Sequence, residues 1–168
     1  MNILKKLRLP FILLITVALA SCSSTSKKNA GKDGSSASGT NEGITFELNT
    51  DSDSNSAGSF KTVYFDFDSS KLTDSTRSDL EHNANLLKQY PTVEVQIEGH
   101  CDERGGVQYN LALGERRANA ISNYLSALGV SKSRISIISF GKERPLTYGH
   151  EESSWSQNRR GNFVITAK

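Results

Sequence analysis

Val93-Glu94-Val95-Gln96-Ile97-Glu98-Gly99 alternates apolar and polar side chains, and a helical run from about Gln108 to Leu128 follows it, closed by Gly129. Period-two alternation is the mark of a strand with one covered face. At about 100° per residue, Leu111, Gly114, Ala118, Ile121, Leu125 and Leu128 share one side of the helix, which is the side for a core. Gly114 stands in the middle of that stripe. A glycine there costs about 1 kcal/mol of helix propensity against alanine, so it predicts close approach of helix to sheet. Arg116 points to the opposite side. Arg117 falls on the flank of the stripe with Asn110, Leu113 and Tyr124. Gly129 is the expected C-terminal stop.

Working outward, Thr62-Val63-Tyr64-Phe65-Asp66-Phe67 alternates as a first strand. Thr73 can cap a helix with Asp74 in its first turn; Leu72, Leu80, Ala84 and Leu87 give it an apolar side, and Pro91 ends it. Ile135 to Phe140 reads as a third strand and Asn162 to Thr166 as a fourth. The segment 141–160 between them is polar, with Pro145 and a short helical turn near 153–158. Strands joined through helices imply crossover connections. The predicted fold is α/β: a βαβαβ unit plus a last strand, forming a two-layer sandwich with a mixed sheet and helices on one face. Residues 59–168 are assigned to this domain.

The N-terminus has another character. Lys5, Lys6 and Arg8 precede an apolar run from Leu9 to Leu19, and small residues follow, which is the pattern of an export signal. The run is too short for a confident membrane span, which needs about 20 residues. Leu19-Ala20-Ser21-Cys22 resembles a bacterial lipobox. Residues 1–21 are therefore read as a signal peptide and Cys22 as the lipidated first residue, giving a membrane-anchored but otherwise water-soluble protein. Ser23 stands where an Asp would signal retention in the inner membrane, which implies sorting to the outer membrane. Residues 22–58 are rich in Ser, Gly, Asn, Asp, Thr and Lys and read as a disordered tether. Its root-mean-square reach is roughly 33 Å, and about 120 Å fully extended. Within it, Ile44-Thr45-Phe46-Glu47-Leu48 alternates like a short strand.

Composition excludes several classes. With 36% hydrophobic and 23% charged residues among 168, the chain is neither a multi-span membrane protein nor wholly disordered. The net charge of +2 includes Lys5, Lys6 and Arg8. Without these three, 17 of the 20 basic residues remain against 18 acidic ones, which gives no electrostatic case for nucleic acid. Two cysteines are too few for a disulfide scaffold or a Cys-rich zinc site.

The densest polar cluster is Glu98-Gly99-His100-Cys101-Asp102-Glu103-Arg104-Gly105-Gly106, between strand and helix, where ligand sites collect in α/β folds. A Cys-His nucleophile needs convergence, but His100 and Cys101 are neighbours that point oppositely on a strand. That leaves His82 or His150 as the only partners. His100, Asp102 and Glu103 lack a recognised metal spacing. No feature selects a pair of glycosidase carboxylates, and Gly105-Gly106 alone is no phosphate loop. A binding module uses the same residues better. Asp102 and Arg117 could hold the ammonium and carboxylate of a zwitterion, the latter through the bidentate fork of arginine. A purely structural Asp102–Arg117 salt bridge has the same spacing.

Tyr64-Phe65-Asp66-Phe67-Asp68, Gly99-His100-Cys101-Asp102-Glu103-Arg104-Gly105, Tyr109-Asn110, Leu113 to Ala120 and Gly141-Lys142-Glu143-Arg144-Pro145 together resemble the lipid-anchored branch of the OmpA C-terminal-like family. The resemblance runs from about Val63 to Val164. It implies a non-enzymatic protein without cofactor or metal that binds the diaminopimelate-bearing stem peptide of peptidoglycan non-covalently. Asp102 and Arg117 match the family's ligand-binding Asp and Arg. Asn110 and Leu113 match residues of the same helix motif, and Asp68 matches the second Asp of the first-strand motif. Gly114 agrees with the lipid-anchored branch, and Cys101 stands where the wider family often has Thr. Arg104 and the pair Arg159-Arg160 match too, the pair read as mainly structural. The resemblance further implies attachment to the outer membrane with the domain facing the periplasm. It also implies partners in the Tol system, TolB among them, and a role in constriction at cell division. The alternatives are a periplasmic peptidoglycan hydrolase and a lipoprotein with no ligand.

Overall fold

The computed structural model describes residues 44–168. The signal segment, Cys22 and the tether up to residue 43 lie outside the described residues. The elements are β1 (Val63–Tyr64), α1 (Asp74–Gln89), β2 (Glu94–His100), α2 (Val107–Ala127), β3 (Ile135–Gly141), α3 (Glu152–Asn158) and β4 (Arg160–Ala167). The sheet order is β1-β4-β2-β3. Strand β2 runs parallel to β3 and antiparallel to β4, so the sheet is mixed. The α/β two-layer expectation is met.

Side chains alternate across β2 and β4. Val95, Ile97, Phe163 and Ile165 are buried with Leu80 and Leu87 of α1 and Ile121 and Leu125 of α2. Thr73 caps α1 by accepting from the Thr76 amide at 3.2 Å. Gly129 ends the α2 turn with φ of 96°. Gly114 performs the role its position predicts. A Cβ there would lie 2.3 Å from Ser139 Oγ and 2.7 Å from the Gly99 carbonyl oxygen, so a glycine lets α2 lie on the sheet backbone.

Three features differ from the sequence reading. Strand β1 has two residues rather than six, because the chain leaves the sheet after the Phe65 amide donates to the Arg159 carbonyl. It then turns through Asp68, whose φ is 52°. Strand β4 begins at Arg160, earlier than expected, because Arg160 and Gly161 pair with β1. Third, residues 44–58, expected in the tether, pack onto the domain. Phe46 is buried between Tyr90, edge-on at 4.8 Å, and Phe60 at 5.9 Å, and Phe60 stacks on Phe163 at 5.8 Å. A few apolar residues in a polar stretch suffice once they meet one groove, and average composition hides them.

The other face of β2 and β4 carries a buried polar ladder. Asn162 donates to Glu98 Oε2 at 3.1 Å and accepts from the Ser52 hydroxyl at 2.8 Å. His100, 1% exposed, lies 3.3 Å from Glu98 Oε2 and stacks on Phe140. Burial is the largest influence on His100 and pushes its pKa below the ordinary value; the Glu98 contact opposes this and Arg160 adds to it. The unfolded chain then takes up a proton near pH 6.5 while the folded one stays neutral. Stability is therefore expected to fall as pH drops through about 6.5. Urea midpoints at about pH 7.5 and about pH 5.5 measure this, and His100→Gln should flatten the difference. An unchanged difference in the variant would place the titration elsewhere. Exposed His150 has a raised pKa, caused by Glu103, and acts in the opposite sense, so comparison of the two proteins isolates His100.

Candidate functional site

The turn after β1, the loop after β2, the first half of α2 and Arg159 before β4 enclose a cavity of about 140 Å³. Asp68, Asp102, Asn110, Leu113 and Arg117 all line it. The structure thus gathers around one cavity the five residues that the sequence suggests for ligand binding; Cys22 lies outside the described residues.

Arg117 is more buried than its flank position suggested, at 1% exposed. Its guanidinium donates to the carbonyls of Ser69 at 2.8 Å, His100 at 2.7 Å and Asp66 at 3.0 Å. Three backbone acceptors stand in for water, and they tie the 66–69 turn to the end of β2. A guanidinium has five N–H groups, so two remain. Burial lowers the Arg117 pKa, its largest influence, while the nearby Cys101 and Asp102 raise it.

Asp102 is not the partner of Arg117. Arg104 reaches Asp102 Oδ2 at 2.6 Å and Oδ1 at 3.3 Å, its backbone N–H donates to Oδ1 at 3.1 Å, and Arg159 reaches Oδ2 at 3.3 Å. A carboxylate offers about four lone-pair sites, so Asp102 is saturated. Burial, the largest influence, works against its ionisation, yet the bonds from Arg104 and Arg159 outweigh it and hold the carboxyl below the ordinary aspartate value. Arg104 is itself clamped between the rings of Phe67, at 3.9 Å, and Trp155, at 4.0 Å. Such stacking suits a planar cation.

Asn110 donates to the Arg104 carbonyl at 2.8 Å and holds the loop over the helix start. Leu113, 5% exposed, supplies an apolar wall. Asp68 stands at the rim, its Oδ1 accepting from the Tyr109 hydroxyl, and it forms no ion pair among the described residues. The site therefore has a cation in its floor, a carboxylate at its rim and an apolar side between them.

Sequence reasoning missed Phe67, Trp155 and the direct part of Arg159. Arg159, expected from the sequence to be mainly structural, both lines the cavity and bonds Asp102. Trp155 arrives from α3, more than fifty residues from the loop it supports, and no local pattern joins the two.

Cys101 is 3% exposed and donates its S–H to the Asn110 carbonyl at 3.3 Å. Burial raises its pKa, so the thiol is not poised as a thiolate nucleophile. His82 bonds the Ser59 carbonyl and His150 bonds Glu103. Among the described residues no three His, Cys, Asp or Glu side chains converge as a metal site. Cys101→Ser is expected to leave ligand binding within about twofold of wild type, since a hydroxyl keeps the donated hydrogen bond. Loss of binding in a variant with unchanged circular dichroism would give the sulfur a direct role.

A model of the OmpA family matches residues 64–159, from the end of β1 to Arg159. The chain belongs to the OmpA family. This OmpA-family chain is 46% identical over 103 residues to the peptidoglycan-associated lipoprotein of Legionella pneumophila, covering 61% of the chain and 58% of that relative, less than two thirds of its length. It is 35% identical over 170 residues to the peptidoglycan-associated lipoprotein of Agrobacterium fabrum, covering 96% and 90%. Among solved structures, the peptidoglycan-associated lipoprotein from Burkholderia pseudomallei superimposes with a TM-score of 0.61 at 46% identity, over 62% of this chain and 89% of that one. The C-terminal domain of Helicobacter pylori MotB shares the OmpA-family fold at 18% identity, with a TM-score of 0.60 over 64% and 85%. The names of these lipoprotein relatives describe association with peptidoglycan.

Proposed function

We propose that this protein is an outer-membrane lipoprotein that binds peptidoglycan non-covalently through the Asp68–Arg117 cavity and tethers the membrane to the wall. The observation that carries the reading is the opposed pair of charges around an apolar wall: Arg117 in the floor, without a carboxylate partner among the described residues, and Asp68 at the rim, bonded by the Tyr109 hydroxyl but in no ion pair among the described residues. A group with a carboxylate at one end and an ammonium at the other fits that polarity. The diaminopimelate of a stem peptide is such a group. Its carboxylate would take the two spare N–H groups of Arg117. Its ammonium would meet Asp68 first, because Asp102 is saturated by Arg104 and Arg159. Asp102 then acts by fixing the arginines that shape the wall. The names of the relatives support the wall as target.

Lipidation of Cys22 supplies the membrane end, and residues 22–43 supply the reach. The resemblance of the motifs supports TolB and other Tol proteins as partners, with a part in envelope integrity and constriction at division. Co-sedimentation of the purified protein with sacculi tests the wall-binding reading: the protein should pellet with sacculi and be released by soluble stem peptide. Recovery in the supernatant would refute it. The anchor is tested separately. Cys22→Ala is expected to lose all labelling by a radioactive fatty acid and to leave the membrane fraction, because acyl chains supply the membrane affinity. Equal labelling of the variant would refute the lipobox.

A further inference from the structure

Residues 44–62 form an N-terminal arm that lies outside the family match, which begins at residue 64. The arm runs antiparallel to β4 along the edge that β1 leaves uncovered, with Asp51 bridged to Val164. Asn49 N–H donates to the Ile165 carbonyl at 2.9 Å, Ile165 N–H to the Thr50 carbonyl at 3.0 Å, and Ser52 N–H to the Phe163 carbonyl at 2.9 Å. One end of this ladder is fixed by Asp53, whose Oδ2 lies 2.7 Å from Arg160 Nε, in a pair with side chains only 9% and 5% exposed. The other end is fixed by Phe46, packed on Tyr90 and Phe60, with its carbonyl accepting from Lys168 Nζ at 2.9 Å.

The direction of the arm matters. Among the described residues the entry point is Ile44–Phe46, where the Phe46 carbonyl meets the side chain of Lys168, the residue after β4. The cavity lies at the other end of the same strand, where Arg159 lines it just before β4 begins. Entry point and cavity are separated by the length of an eight-residue strand, about 25 Å. A pull between them runs along the strand axis. Cross-strand hydrogen bonds lie perpendicular to that axis, so such a pull loads them together, and no single bond can fail first. A pull from the Lys168 end opens the same ladder from one side, bond after bond.

We infer that the arm is a shear clamp, a load-bearing fastening that passes tension from the N-terminal tether into β4 and on to the ligand cavity. This rests on the proposed reading of the cavity as the wall-bound end. The clamp itself is tested without any wall, so failure of one is distinguishable from failure of the other.

The test is single-molecule pulling of the full chain in two geometries. One handle replaces Thr40. The second is either appended after Lys168, which keeps the Lys168–Phe46 bond, or replaces Gly106, which is exposed, has φ of −78° and has nothing within 4 Å of a built Cβ. Pulled from Thr40 and Lys168, the arm should peel first, in an early step that releases roughly 65 Å of chain at 3.3–3.6 Å per residue. Pulled from Thr40 and Gly106, that step should vanish, and the arm should come away with the main unfolding event. Asp53→Asn, which weakens the cavity-end latch, should restore an early step in the second geometry. The same early step at the same force in both geometries would overturn the clamp, as would its absence from both. An unchanged Asp53→Asn trace would overturn the latch on which the clamp depends.

Discussion

Asp102→Ala is expected to lower folding stability by about 3 kcal/mol and to weaken stem-peptide binding by at least about tenfold. The carboxylate is 4% exposed and receives four hydrogen bonds from Arg104 and Arg159. Removing one member of a buried pair leaves a charge without compensation, at a cost of about 3–5 kcal/mol. The lower end applies because Arg104 is 31% exposed at its side chain and can reach water, while Arg159 keeps Glu152. Thermal unfolding gives the first quantity. Calorimetric titration with a diaminopimelate-containing stem peptide, well below the transition, gives the second. Asp102→Asn keeps the shape but loses the charge, and should fall between. Wild-type melting and wild-type affinity in the alanine variant would remove Asp102 from both roles.

Arg117→Ala should abolish detectable binding or weaken it by at least about tenfold, and Arg117→Lys should be nearly as damaging. The guanidinium spans three carbonyls from two segments of chain. An ammonium is a point donor without the planar fork and cannot satisfy all three while holding a carboxylate. The lysine variant therefore separates charge from shape. Recovery of most of the affinity by lysine would show that charge alone suffices. Arg116 is the control. It is exposed, with its guanidinium 5.9 Å from the Tyr109 ring, and Arg116→Ala should bind as wild type. Binding retained by Arg117→Ala but lost by Arg116→Ala would assign the site to the other side of α2.

Much of this was legible in the sequence for physical reasons. The β2 alternation and the α2 stripe are dictated by burial on one face, so Val95, Ile97, Ala118, Ile121 and Leu125 declared themselves. Gly114 was legible because a glycine in mid-helix has a cost that close packing explains. The five cavity residues were carried by the motifs of a family resemblance. Their mutual geometry was not. Spacing placed Arg117 opposite Asp102, whereas the structure gives Asp102 to Arg104 and Arg159 and leaves Arg117 on backbone carbonyls. Those acceptors come from a turn and a strand end, and carbonyls leave no trace in a sequence. The arm was illegible for a different reason. Phe46, Ala57 and Phe60 are sparse among polar residues, and their burial depends on a groove made by Tyr90 and Phe163, both distant in the chain.

The chain contains a single tryptophan, and that residue is Trp155. Its indole stacks on Arg104 and donates to Glu103 Oε1 at 2.9 Å, so the only strong ultraviolet emitter sits behind the loop that carries Asp102. Anything that shifts this loop changes the charge and the solvent around the indole. Occupancy of the cavity can thus be followed as intrinsic fluorescence, with no dye and no label.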